Sequence, residues 1–173
     1  KKYNPDVLIL VDYPGFNMKI AKWAKENNIK VIKSNFFNPE LTLKKGNFSK
    51  IKPNKLDSSS IKKGIKSLNN LNSYNHAQGL IIRNNKVIRK ETSKGTKKML
   101  QSINKIKDAG AILIKFPKKK QDLRVDLPTV GLDTIKDCKK YNLKGIVLKS
   151  NQNIFMDKKR SINFANKNKI FIK

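Results

Sequence analysis

The sequence predicts an α/β protein, with a mixed sheet and flanking helices preceded by a partial Rossmann-like βαβ unit. From residue 77 onward, short apolar runs alternate with segments whose apolar residues recur at helical spacing. Near the start, an apolar run at 6–12, a turn, a helical pattern and a second apolar run at 29–32 follow the order of a βαβ unit. Hydrophobic residues make up 38% of the chain, which is enough to bury a core.

The chain divides into three parts. A βαβ unit occupies residues 1–33, a linker with Pro39, Gly46 and Pro53 occupies 34–57, and a larger domain occupies 58–173. At 173 residues the chain has room for one full domain, or for one domain and part of another. Because the sequence opens on Lys-Lys without an initiator Met, we expect a fragment or a processed chain.

The first unit begins with a continuous apolar run. Residues 6–12, DVLILVD, predict a buried parallel strand closed by an acid, and YPGFN predicts a turn. A short amphipathic helix follows over 18–27, with Trp23 and Ala24 among its apolar positions, and a second strand over 29–32. Asp12 ends the first strand above a helix N-terminus, a common ligand position in doubly wound sheets, and a capping role fits it equally well.

The larger domain is predicted to alternate helices and strands. A helix begins near residues 57–60, which cap well, and a β-hairpin follows because Asn84-Asn85 tolerates the positive φ of a tight turn. The elements then follow in this order: hairpin strands 79–83 and 86–90, a helix with Met99, Leu100, Ile103 and Ile106, a strand at 111–115, a helix with Ile135 and Cys138, strands at 145–149 and 154–156, a helix at 161–166 and a strand at 170–172.

Charge and composition limit the function classes. Forty Lys and Arg residues against 12 acidic ones give a net charge of +28. Such a charge attracts nucleic acid, anionic lipid or phosphate-bearing substrates. AT-rich codon usage explains the excess of basic residues equally well. The single Cys138 excludes an internal disulfide framework and a Cys-based zinc site, and agrees with a reducing cytosol. No apolar run approaches the roughly 20 residues of a membrane span, so we expect a cytoplasmic protein.

A basic loop carries the candidate chemistry. In KFPKKKQDLRVDLPTVG, residues 115–131, polar Asp122, Arg124 and Asp126 alternate with apolar residues. If this segment is extended, the two carboxylates share one face but stand roughly 13 Å apart at the backbone, too far to share one metal ion. Either the loop bends, or one aspartate acts and the other positions it; a third interpretation is that both only cap turns and pair with nearby lysines.

The residue types of this loop suit a diphosphate. Arg124 offers a planar fork for two phosphate oxygens, while Lys115 and Lys118 supply point charges. A carboxylate can hold a divalent ion or orient a water for attack on phosphorus.

The order of short motifs resembles the LpxI family, the UDP-2,3-diacylglucosamine pyrophosphatases of lipid A biosynthesis. The motifs are AQGLIIRNNKVI, ETSKGTKKML, GAILIKFPKKKQDLRVDLPTVGLDTI, NLKGIVLKSNQNIFMD and KIFI. The resemblance implies hydrolysis of the diphosphate of UDP-2,3-diacylglucosamine by water attack on the α-phosphorus. The products are UMP and 2,3-diacylglucosamine 1-phosphate (lipid X). It also implies a divalent cation, Mg²⁺ or Mn²⁺.

The resemblance assigns roles to particular residues. The essential aspartate of the family falls in its DLPT motif, which matches Asp126 and implies a metal ligand or water-orienting base, with Asp122 beside it and Glu91 as a further metal ligand. Substrate-binding residues are implied at Gln78, Gly95, Thr96, Lys115, Lys118, Gln121, Arg124 and Thr129. Two acids that flank Gly-Thr in the family are Lys94 and Lys97 here, and a third is Asn75.

The first 30 residues are similar to a different family, the lipid-A-disaccharide synthases. The similar stretch, PDVLILVDYPGFNMKIAKWAKENNIKV, covers one βαβ unit, and the matching acid, Asp12, belongs to the synthase active site. The alternatives are therefore a synthase fragment that acts as a glycosyltransferase, or a non-enzymatic basic protein that binds nucleic acid. The sequence shows no nucleic-acid-binding motif, so we expect no specific nucleic-acid partner. An anionic membrane surface at the inner face of the inner membrane and a second copy of the chain are further expected partners.

Overall fold

The computed structural model describes residues 5–11, 13–70, 77–119 and 121–173. The strands are β1 (Val7–Ile9), β2 (Lys30–Ile32), β3 (Gly79–Arg83), β4 (Lys86–Lys90), β5 (Ile112–Lys115), β6 (Thr129–Val130), β7 (Gly145–Leu148), β8 (Ile154–Phe155) and β9 (Phe171–Ile172). The helices are α1 (Pro14–Glu26), α2 (Lys55–Asn69), α3 (Gly95–Gln101), α4 (Leu132–Lys140) and α5 (Lys158–Lys167), with a 3₁₀ turn at Pro39–Leu41. Within the described part of the chain, no helix combines the length and apolar character needed to cross a membrane.

A five-stranded mixed sheet in the order β4-β3-β5-β7-β9 forms the centre of the larger domain. Strand β3 pairs antiparallel with β4 and β5, whereas β5, β7 and β9 run parallel to one another. Every residue of β5 and of β7 is buried, because helices cover both faces of the sheet. The predicted mixed sheet with flanking helices is confirmed.

Successive side chains of each strand point to opposite faces and divide the core into two layers. On one face, Ile112 and Ile114 of β5 pack with Ile61 of α2. On the other, Leu113 packs with Ile135 and Cys138 of α4. The predicted core position of Cys138 is confirmed, since the residue is fully buried, and burial raises the pKa of its thiol to about 12.

Helix α2 begins earlier than the sequence pattern predicts. Asn54 is its N-cap, and the Asn54 side chain accepts a hydrogen bond from the Asp57 backbone at 2.8 Å. The Asp57 carboxylate accepts one in return from the Asn54 backbone at 3.1 Å, which completes a capping box. Asp57 therefore lies in the first turn of the helix instead of before it.

The predicted hairpin is confirmed, and the predicted helix after it is wrong at its end. Asn84 and Asn85 have φ of 46° and 62°, as a tight hairpin turn requires. Helix α3 ends at Gln101, so Ile106 lies beyond it and is 89% exposed. The Asn104 side chain accepts hydrogen bonds from the Ile106 and Lys107 backbone, and this local turn competes with continuation of the helix.

The N-terminal unit is a separate parallel pair, β1 with β2, joined by α1. The prediction that residues 6–12 form a buried strand is wrong, since Val7, Ile9 and Val11 are 44%, 40% and 71% exposed. A buried parallel strand needs cover on both faces, and two strands with one helix provide it on one face only. Asp12 lies outside the described residues.

Residues between this unit and α2 run along the larger domain. Leu43 is buried in the core layer beneath α4, and the Phe48 backbone donates to the Ile172 carbonyl at 2.9 Å. Thr42 forms an isolated antiparallel bridge to Ile154. The segment expected as a linker thus contributes side chains to the domain core.

Candidate active-site loop

The basic loop leaves the sheet at the carboxyl end of β5. Strand β7, parallel to β5, ends on the same side before Lys149, and antiparallel β3 begins there after Gln78. The carboxyl ends of parallel strands are the usual place for ligands in open α/β sheets. The topology therefore brings residues from three distant parts of the sequence to one edge.

Gln121 holds Asp126 in place. The Gln121 side-chain amide donates to Asp126 Oδ2 at 2.6 Å and to the Asp126 carbonyl at 3.3 Å. Gln121 Oε1 in turn accepts from Gln78 Nε2 at 2.9 Å and from the Lys118 backbone at 3.0 Å. Among the described residues, none donates to Asp126 Oδ1. Asp126 therefore presents one oxygen in a fixed direction and keeps the other oxygen in a hydrogen bond.

The loop bends where the two aspartates lie, which is the first of the alternatives that the spacing left open. The Val125 and Asp126 backbones both donate to the Asp122 carbonyl, at 3.0 Å and 3.1 Å, so residues 122–126 form a turn. Val125 and Leu127 are buried and anchor the turn in the core. Period-two alternation was misleading here because a turn with two buried anchors gives the same pattern as a short strand.

Asp122 pairs with Arg124 on the outer side of this turn. Arg124 donates to both carboxylate oxygens, from Nε at 3.0 Å and from a terminal nitrogen at 2.7 Å. The hydrogen bonds from Arg124 hold the pKa of Asp122 below its usual value, and Asp122 raises the pKa of Arg124. A carboxylate with a lowered pKa is a weak base, so Asp122 is poorly suited to accept a proton.

Glu91 belongs to a buried cluster under the loop. Its carboxylate accepts from the Gln78 backbone at 2.8 Å and from the Thr96 hydroxyl, and lies 3.5 Å from Lys115 Nζ. Lys115 also donates to the Thr96 hydroxyl. Glu91 and Lys115 are 6% and 7% exposed, so they form a buried ion pair in which each neutralises the charge of the other. Through the Gln78 backbone, this cluster supports the residue that orients Gln121.

A cavity of about 250 Å³ adjoins the loop. Lys118, Lys119 and Lys149 supply its positive charge. Leu68, Phe116 and Leu123 supply apolar surface on its wall. Lys149 Nζ lies 5.5 Å from the centre of the Phe116 ring, in a cation–π contact. The cavity can take an anionic group together with a flat or apolar one.

Three residues of this cavity were not predicted from the sequence: Phe116, Lys149 and Gln152. Lys149 follows β7 as Phe116 follows β5. Since parallel strands end at one edge of a sheet, the positions just after each strand are a signal that could have found both residues. Gln152 follows in the turn after β7 and carries no such signal.

A second hollow of about 580 Å³ is lined by residues of the turn and of α1 and β2. Asp122 and Arg124 face Lys22 and Lys25 of α1 across it. Gln121 therefore lines the first cavity, whereas Asp122 and Arg124 line the second hollow.

The remaining predicted site residues are dispersed around the loop. Thr129 is exposed at the start of β6, where it pairs with Ile154 of β8. Gly95 begins α3 with φ of 81°, a conformation that favours glycine, and so presents Thr96 to Glu91. Lys94 and Lys97 are exposed on either side of this pair. Asn75 lies outside the described residues.

The three predicted metal ligands do not come together. Within the ranges that the structure describes, no group of three or more His, Cys, Asp and Glu side chains could hold a metal ion. Asp122 is engaged by Arg124, and Glu91 by Lys115. Mg²⁺ often takes one or two carboxylates and completes its shell with water and substrate phosphate oxygens. Asp126, whose Oδ1 accepts no hydrogen bond from the described residues, fits that pattern.

Comparison with known proteins finds similarity to two families. The family model of the LpxI C-terminal domain matches residues 44–173. The UDP-2,3-diacylglucosamine pyrophosphatase LpxI of Caulobacter vibrioides is 28% identical over 141 residues, which cover 77% of this chain and 50% of that protein.

Lipid-A-disaccharide synthases match over shorter stretches. The synthase of Trichlorobacter lovleyi is 43% identical over 49 residues, or 28% of this chain and 12% of the synthase. The synthase of Coxiella burnetii is 53% identical over 32 residues, or 18% and 8%. The chain thus spans half the length of the pyrophosphatase that it matches, and much less of the synthases.

Proposed function

Because the chain belongs to the LpxI family, whose C-terminal domain it carries, we propose that it hydrolyses the diphosphate of UDP-2,3-diacylglucosamine. The observation that carries the proposal is the fixed carboxylate of Asp126, which accepts a 2.6 Å hydrogen bond from Gln121, a residue that lines the lysine-rich cavity. The pyrophosphatase name of the Caulobacter relative supports the same reaction class. We assign the chain to lipid A synthesis, with the reaction at the cytoplasmic face of the inner membrane, where a diacylated substrate lies.

The proposed reaction is a displacement at the α-phosphorus. A water oxygen forms a bond to this phosphorus as the bond to the bridging oxygen breaks. UMP leaves with the water oxygen, and the bridging oxygen stays on the sugar as part of 2,3-diacylglucosamine 1-phosphate. The single displacement needs a group that orients the water and takes its proton, and cations that stabilise charge on the phosphate oxygens.

The described residues can perform these tasks. Asp126 takes the proton or orients the water through Oδ1, since Oδ2 is occupied by Gln121. Lys118 and Lys149 stand at the cavity where phosphate oxygens would lie. Lys115 is excluded from direct binding in this scheme, because Glu91 and Thr96 engage its ammonium group.

A divalent cation, Mg²⁺ or Mn²⁺, is part of the proposal. Asp126 would hold it together with the substrate phosphates, where the ion would neutralise phosphate charge. Asp122 and Glu91 are not needed as ligands in this arrangement, as both are already paired with cations.

A synthase activity is not proposed for this chain. The matches to the Trichlorobacter and Coxiella synthases cover only 12% and 8% of those proteins.

Release of UMP from UDP-2,3-diacylglucosamine by the 173-residue chain tests the proposal. We expect Mg²⁺-dependent UMP release that stops on addition of EDTA and returns with excess Mg²⁺. In H₂¹⁸O the label should enter UMP. A correctly folded chain that releases no UMP, or that releases UDP only when lipid X is present, contradicts the proposal.

A further inference from the structure

The N-terminal unit exposes large apolar side chains at one end. Val11, Tyr13, Phe16, Phe36 and Phe37 are 71%, 76%, 61%, 63% and 66% exposed, and we call these five residues the apolar tip. Scattered apolar residues on a surface need no explanation, but a cluster of aromatic ones marks an interaction site.

The topology gathers the apolar tip at one edge. Strands β1 and β2 are parallel, with Ile9 opposite Ile32, so both strands end on the same side. Val11 follows β1 and precedes α1, while Phe36 and Phe37 follow β2 through a turn closed by the Phe36 backbone on the Lys33 carbonyl. The two phenylalanine rings meet edge to face, 5.1 Å apart, and present their surface together.

Helix α1 extends the apolar surface, since its largest side chains point outward. Phe16 and Trp23, seven residues apart and so on one face of the helix, are 61% and 48% exposed. The helix instead buries Asn17 and Ala24, which are small. An ordinary surface helix of a globular protein would bury the aromatic side chains and expose the asparagine.

Positive charge surrounds this surface. Lys19, Lys22, Lys25, Lys30 and Lys33 are all exposed on α1, on β2 and in the turn after it. Aromatic side chains beside lysines on a short amphipathic helix are typical of a segment that lies in the interface of a bilayer, with lysines on anionic headgroups.

The net charge of the chain favours an anionic bilayer over a second copy as the partner. A second copy would bring another net charge of +28 against the same lysines, so self-association is opposed by repulsion. An anionic bilayer supplies both the negative charge and the apolar layer. We propose that the apolar tip and α1 dock the protein on an anionic lipid bilayer, with the tip residues inserted at the headgroup level and the α1 lysines on the headgroups. This docking is independent of the proposed hydrolase activity.

Co-sedimentation of the full chain with lipid vesicles tests the docking. We expect binding to vesicles of phosphatidylglycerol mixed with phosphatidylcholine, and much weaker binding to pure phosphatidylcholine. Trp23 is the only tryptophan, so its fluorescence should shift to the blue on binding and be quenched by brominated lipid. The triple variant F16S/F36S/F37S should bind at least about tenfold more weakly. Ile106→Ser, at an 89% exposed position of the larger domain, is the matched control and should bind as the wild type does.

Lysine variants distinguish docking through α1 from a non-specific attraction of the whole basic chain to anionic lipid. The variant K19Q/K22Q/K25Q should weaken binding by about a hundredfold, at about fivefold per lysine. The variant K62Q/K63Q/K66Q removes the same charge from the exposed face of α2 and should bind nearly as the wild type does.

Three outcomes overturn the proposal. They are equal binding by the tip variant and the wild type, equal losses for the two lysine variants, and a wild-type dimer that the tip variant dissociates without any vesicle binding. The last outcome would assign the surface to a second copy. Circular dichroism spectra and thermal unfolding of all variants should match the wild type, because the substituted side chains are exposed.

Discussion

Replacement of Gln121 by Leu removes the group that fixes the candidate carboxylate. Gln121 makes hydrogen bonds of 2.6 Å to Asp126 Oδ2, 2.9 Å to Gln78 and 3.0 Å to the Lys118 backbone. Leucine is similar in size and can make none of them. The variant therefore tests the orientation of Asp126 without altering the charge of the loop.

The size of the effect follows from these bonds. A hydrogen bond to a charged group contributes about 1.5–3 kcal/mol and a neutral one about 1 kcal/mol. Because Gln121 is only partly buried and leucine gains apolar contacts, we expect a net loss of about 1–3 kcal/mol of unfolding free energy. Misplacement of a catalytic group by about 1 Å costs up to about a hundredfold in rate, so kcat should fall by about ten- to a hundredfold.

The assay is UMP release as a function of substrate concentration, with urea unfolding of the same samples. Gln152→Leu is the matched control, since Gln152 lines the same cavity and has no side-chain hydrogen bond to Asp126. We expect a large decrease in kcat for the Gln121 variant and a wild-type kcat for the control. A Gln121→Leu protein that is folded and as active as the wild type refutes the positioning role.

Three further predictions concern the groups around the loop. Glu91→Ala should lower the unfolding free energy by about 3–5 kcal/mol in urea titrations, because it leaves Lys115 buried without its partner. A loss as small as that caused by Asp133→Ala, at an exposed ion pair, would contradict the buried ion pair. Asp122→Asn should cost less than about 1 kcal/mol at neutral pH, because the Arg124 pair is partly exposed. Since Arg124 lowers the pKa of Asp122, the ion pair stabilises the fold fully above the unfolded pKa of about 3.9. This stabilisation is lost as the pH falls through the lower pKa of the folded state. A wild-type protein that stays more stable than the variant at still lower pH would count against the pair. Cys138, with its pKa raised to about 12 by burial, should react with a disulfide reagent only after unfolding, and rapid labelling of the native protein would show that the thiol is accessible.

The sheet domain could be predicted largely from local patterns. The Asn84-Asn85 turn, the buried strand before Lys115 and the helix with Ile135 and Cys138 each follow from one short segment. The bounds of α2 could not be predicted, because Asn54 and Asp57 cap the helix through reciprocal side-chain bonds that spacing alone does not reveal. The exposure of Val11 was equally hidden, since an apolar run does not show how many layers cover it.

The candidate site was predicted in part. Residues close in sequence, such as Asp122, Arg124 and Asp126, were found together, but their turn geometry depends on the buried anchors Val125 and Leu127. The distant members were harder to find. Lys149 reaches the cavity only through the parallel pairing of β5 with β7. The ion pair between Glu91 and Lys115 is a tertiary contact that motif similarity does not indicate.

The central claim, that Asp126 acts on the diphosphate, is tested most directly by UMP release from Asp126→Ala beside Asp133→Ala. Asp133 is a solvent-exposed carboxylate on α4, so its variant removes the same charge without touching the loop. We predict that Asp126→Ala, folded as the wild type, loses activity by about 10²–10⁴-fold, while Asp133→Ala retains it. Equal activity in the two variants would contradict the account.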